Sequence, residues 1–123
     1  MSALDKAVAE LEARRAKDDA ERYARRQAAG AFLKEFFDAD IAPSKKLKDS
    51  GVRAGFDGSR IVLQKPEEGV YADGMMIVVG EQGEIDVSGR SLGPVGAAGV
   101  DEKKDLDAKK RGLIAEIISH FSL

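Results

Sequence analysis

The chain contains no cysteine, which excludes a disulfide scaffold, a thiolate metal site and a cysteine nucleophile, and fits a reducing compartment such as the cytoplasm. It has a single histidine, His120. One histidine without cysteine builds no ordinary zinc site, and nothing in the sequence sets a serine and a carboxylate beside it for a hydrolase triad. Long apolar runs are also missing. The longest, Gly74-Met75-Met76-Ile77-Val78-Val79, is far shorter than the roughly 20 residues that cross a membrane. The opening residues Met1-Ser2-Ala3-Leu4-Asp5 carry no basic segment followed by an apolar one, so no secretory signal is read there. Aromatics are few, five Phe and two Tyr with no Trp. The predicted strands lack the stacking platforms that single-stranded nucleic acid uses.

What is present describes one soluble domain. The chain has 123 residues, 43% of them hydrophobic and 34% charged, enough for a core without staples. The formal net charge of −2 hides an uneven layout. Residues 1–38 balance eight basic groups against eight acidic ones. Residues 39–66 carry six basic against three acidic, whereas residues 67–100 carry Arg90 against six acids. The sheet region is therefore polarised, and cross-strand ion pairing is the expected reason.

The apolar run at 74–79 is the organising element. Bounded by glycines and rich in β-branched residues, it reads as a central strand buried on both faces. Before it, Ser2-Ala3-Leu4-Asp5 has the spacing of a capping box. A helix follows from about Ala3 to Asp38, supported by the acid-before-base pairs Glu10–Arg14, Asp18–Arg22 and Glu21–Arg25.

One helical stripe carries Leu4, Ala7, Val8 and Leu11 at its start and Phe32, Leu33, Phe36 and Phe37 at its end, with arginines and aspartates between them. A stripe that is apolar at both ends and charged in the middle does not lie on one core. The opposite face is a seam of small residues, Ala9, Ala13, Ala16, Ala20, Ala24, Ala28 and Ala31, together with Tyr23. A helix of this extent spans about 54 Å, against a radius of gyration of about 14 Å for a domain of this size. Residues 1–28 are therefore expected to form a protruding helical arm, and residues 29–123 a single domain.

Pro43 ends the helix, and Lys45-Lys46-Leu47-Lys48-Asp49-Ser50-Gly51 is a basic loop or one helical turn. Val52–Phe56 and Ser59–Lys65 flank Asp57-Gly58, the signal of a type I′ hairpin. Pro66-Glu67-Glu68-Gly69 turns the chain, Val70–Ala72 is a short extension, and Asp73-Gly74 leads into the central strand. Glu84–Ser88 alternates as a half-exposed strand. Gly89–Gly99 reads as an irregular crossover. Asp101 suits an N-cap for a last helix to about Phe121, whose stripe of Leu106, Leu113, Ile114, Ile117, Ile118 and Phe121 should lie on the sheet. The fold class is α+β: a long N-terminal helix, a three- to four-stranded antiparallel meander and a C-terminal helix packed on it.

No catalytic, metal or cofactor residue is assigned. The glycines of 89–99 match neither the phosphate-loop nor the dinucleotide pattern, and Asp101 and Glu102 would occupy the helix start where a phosphate binds. Asp73, Glu81, Glu84 and Asp86 lack the ordered spacing of a calcium loop.

The leading expectation is a non-catalytic interaction module. It would form a homo-oligomer (a dimer), or bind a protein partner, through Leu4, Val8, Leu11, Ala16, Ala20, Tyr23 and Ala24 of the N-terminal helix. Two alternatives follow from other segments. One is nucleic-acid binding through Lys45, Lys46, Lys48, Arg53 and Arg60. The other is a small-ligand or enzyme site near the glycine-rich 89–99 segment.

Overall fold

The computed structural model describes residues 2–66, 73–95 and 102–123. Its first element, α1, runs unbroken from Ala3 to Phe36. Ser2 caps it, its Oγ accepting from the Asp5 N–H at 3.1 Å. Gly30 does not interrupt it. There the helix passes close to the β1–β2 turn, and a Cβ on Gly30 would sit 3.6 Å from the Gly58 carbonyl oxygen.

Beyond Phe36 the chain makes one wide π-type turn, Phe37–Ile41, closed by the Ala42 N–H donating to the Phe37 carbonyl at 2.8 Å. An α-helical continuation would aim Ile41 about 140° away from Phe36. The wider turn returns it to the core side, and Ile41 is buried. The basic stretch after Pro43 is a helical turn, α2 (Lys45–Asp49), capped by Ser44 Oγ.

Five strands follow: β1 (Arg53–Phe56), β2 (Arg60–Lys65), β3 (Asp73–Val79), β4 (Glu84–Val87) and β5 (Arg90–Pro94). They pair antiparallel in sequence order. The sheet thus has one strand more than the largest count expected. The additional strand is β5, which lies within the segment read as an irregular crossover. Glycine there serves the ladder instead of breaking it. Ser88 and Gly89 both take positive φ (48° and 89°), as a two-residue I′ loop requires, and Val87 pairs with Arg90 across it. Gly93, at φ 86°, lies where the β4–β5 register slips, the place of a glycine bulge.

The β1–β2 turn is also shifted by one residue. Asp57 N–H donates to the Arg60 carbonyl at 3.2 Å, so the loop is Gly58-Ser59, and of the two only Gly58 has positive φ. Asp57 wraps this turn. Its carboxylate accepts from the Ser59 and Arg60 N–H groups and from Arg60 Nε at 2.6 Å. The Arg60 side chain, then the Ser59 N–H, hold its pKa below the usual carboxylate value.

The last helix, α3 (Glu102–Phe121), and the end of α1 cover one face of the sheet. The core joins Ala29, Phe32, Leu33 and Phe36 of α1 to Ile61, Leu63, Met75, Ile77, Ile85 and Val87 of the sheet, and to Leu113, Ile117 and Phe121 of α3. Phe37 stacks on Phe56 with ring centroids 5.7 Å apart.

Three other sequence expectations are corrected here. The central strand is buried on one face only. Met75 and Ile77 point inward, while Met76 points outward and is 40% exposed. On α3, Ile114 and Ile118 are exposed, and the inner stripe instead passes through Lys109, which is buried and paired with Asp105 at 2.7 Å. The expected pairs Glu10–Arg14, Asp18–Arg22 and Glu21–Arg25 close no ion pair among the described residues. In water such contacts contribute little beyond the rotamer entropy they cost. The Val70–Ala72 extension, the turn at 67–69, the glycines at 96 and 99 and the Asp101 cap lie outside the described residues.

Candidate interaction surface

α1 changes character at Ala28. Every residue from Ser2 to Ala28 is exposed, and the first buried position is Ala29. The expected partner-binding residues all fall in the exposed part. Leu4 is 72% exposed, Val8 45%, Leu11 47% and Tyr23 66%, and Ala16, Ala20 and Ala24 are exposed beside them. At 100° per residue Leu4, Val8 and Leu11 continue the stripe that Phe32, Leu33 and Phe36 bury, yet they are exposed and no described residue covers them.

The root of this stretch is held by contact with the sheet's end. Gly83, in the β3–β4 turn, has φ 79°, and a Cβ built on it would lie 2.6 Å from Arg25 Cβ and 2.8 Å from the Arg25 carbonyl carbon. Only a residue without a side chain lets the helix approach this closely. Gly30 and Gly58 make a second, looser approach on the β1–β2 side. Around this second approach a groove of about 540 Å³ opens along α1, with Tyr23, Arg26, Gln27 and Lys34 on one wall and Phe56 and Ser59 on the other.

The basic residues of the nucleic-acid reading are dispersed. Lys45, Lys46 and Lys48 are exposed on α2, Arg53 begins β1, and Arg60 begins β2 beside Asp57. Arg53 and Arg60 are outward on the sheet, at opposite ends of the β1–β2 hairpin. Among the described side chains, the sheet's charge asymmetry closes into no cross-strand ion pair. Among the described side chains the four ion pairs are Asp57–Arg60 within a turn, Arg90–Glu116, Asp105–Lys109 and Asp40–Lys110. Among the described register pairs, only Lys65 and Asp73 set opposite charges across from each other. The basic strand β2 and the acidic strand β4 are neighbours of β3, not of each other.

His120 is exposed in the last turn of α3, its ring edge-on to Phe121 at 4.7 Å. Glu84 accepts from the Gln82 N–H at 2.9 Å and so folds into the β3–β4 turn. No group of three or more His, Cys, Asp or Glu side chains that could hold a metal occurs among the described residues. Among them, too, no helix is long and apolar enough to cross a membrane. Gly89 and Gly93 of the glycine-rich segment are occupied in the β4–β5 turn and the β5 bulge.

Two features were missed in the sequence. One is the Lys109–Asp105 pair, whose only signal is that Lys109 stands four residues before Leu113 and so shares its helical side. The other is that the second apolar face of the sheet, carrying Val62, Met76 and Val78 at alternate positions, is left open by the described residues, where a strand buried on both faces was expected.

In comparison with known proteins, no family model, no curated protein and no solved structure matches this chain.

Proposed function

We propose that this chain is a non-catalytic interaction module that assembles through residues 3–28 of α1, with a second copy or with a helix of a protein partner. The observation that carries this reading is the unbroken exposure of that stretch. Twenty-six residues of continuous helix reach about 39 Å. Most helical stability in proteins comes from the packing of an amphipathic face and not from propensity alone. Large apolar side chains at Leu4, Val8 and Leu11 on such a stretch are the mark of a surface awaiting a partner. The alanines on the opposite face let a second helix axis come close, since interaxial distance depends on the side chains at the contact.

The experiment is absolute mass in solution by light scattering on the full chain and on Leu4→Glu/Leu11→Glu. The reading expects the parent to be larger than a monomer, or to become so with its partner. The double variant loses the association made through α1, so that its mass falls, and keeps the thermal melt of the parent. Unchanged assembly of the double variant would refute the proposal.

A further inference from the structure

The outer face of the sheet carries an inference independent of α1. An antiparallel sheet with one face on the core normally presents polar side chains on the other. Here Val62, Met76 and Val78 stand at the centre of that other face, on β2 and β3, while both long helices pack on the opposite side. Charge flanks this strip in an ordered way. Arg60 on β2 and Asp86 on β4 are both register partners of Val78, so the three form one row: cation, apolar residue, carboxylate. Arg60 pairs with Asp57 through Nε at 2.6 Å, and among the described residues it enters no other ion pair. Asp86 enters no ion pair among the described residues.

We propose that this face pairs with the same face of a second copy, about a two-fold axis running along β3. That axis lays β3 over β3, so Met76 and Val78 meet their own counterparts. It also exchanges left for right, bringing Arg60 over the second copy's Asp86, and Asp86 over its Arg60. The other in-plane two-fold axis, across the strands, would set basic side against basic side, and like charges in juxtaposition are strongly unfavourable. A partner of uniform charge would be repelled by one flank of the row. The face is self-complementary, as an isologous dimer requires.

Its size sets the strength. Five strands at about 4.8 Å spacing and some 20 Å of strand length give about 400 Å² per copy, roughly half of what a standard interface contributes from each partner. The pairing is therefore weak and concentration-dependent, with the two sheets about 10 Å apart.

Sedimentation velocity over a concentration series tests this, using the full chain carrying Leu4→Glu/Leu11→Glu so that any association through α1 is removed. Self-association should persist in that background. Adding Asp86→Lys should weaken it by about tenfold or more, since it sets Lys against Arg60 across the interface. Adding Arg60→Glu as well should restore most of it. A thermal melt of each variant confirms the fold. In the unsubstituted chain, the Met76 methyl resonance should shift with concentration while that of buried Met75 stays fixed. Absence of self-association at every concentration, or an Asp86→Lys chain that associates as tightly as its parent, overturns the proposal. Loss of all association in the leucine variant alone would credit α1 and refute the sheet pairing.

Discussion

From Ala29 to Phe36, α1 is a core element; from Ala3 to Ala28 the same unbroken helix leaves every residue exposed. Both parts display apolar residues at one helical phase, Leu4, Val8 and Leu11 in the first, Phe32, Leu33 and Phe36 in the second. Periodicity therefore identifies the face a helix will bury, but not what buries it. That depends on whether another element stands opposite, and the sheet ends where Gly83 touches Arg25.

Substitutions in the two parts should separate stability from association. The largest effect is expected in the core part. Leu33 is fully buried, and Leu33→Ala should destabilise the fold by about 2–5 kcal/mol through lost burial and a cavity, read as a lower denaturation midpoint. At the boundary, Gly83→Ala forces a side chain onto the Arg25 backbone from a positive φ. That should cost about 2–4 kcal/mol from strain and overpacking together. Asp105→Ala strips the buried Lys109 ammonium of its partner and should cost about 1–3 kcal/mol. Lys109→Met, which removes the charge but keeps the stem, should cost less in the same melts. In the exposed part, Leu11→Ala should change stability by no more than about 0.5 kcal/mol, while weakening assembly measured by light scattering. A stability loss at Leu11 as large as that at Leu33 would erase the distinction between the two parts.

Much of the architecture was legible because local signals agreed with the fold. Ser2 caps α1 as its spacing implies. Ile61, Leu63, Ile77, Ile85 and Val87 alternate into the core, and the final helix ends at Phe121. The misreadings have physical causes. Glycine marks irregular chain and also supplies the positive φ of tight turns and bulges, so Ser88-Gly89 and Gly93 concealed β5. A continuous apolar strand implies two buried faces only if a second layer exists, and the partial exposure of Met76 shows that face uncovered by described residues. Charge counts gave the polarity of the sheet, but not that β3 separates its two signs. The candidate surface was legible as a pattern on one helix. The outer sheet face was not, because it exists only once register aligns Arg60, Val78 and Asp86 from three strands.

The measurement that bears most directly on the account is the solution mass of the full chain beside that of Leu4→Glu/Leu11→Glu, with matched thermal melts. The substitutions should lower the mass of the assembly and leave the melting temperature where it was. An unchanged mass, or a melting temperature that falls as it does for Leu33→Ala, would contradict it.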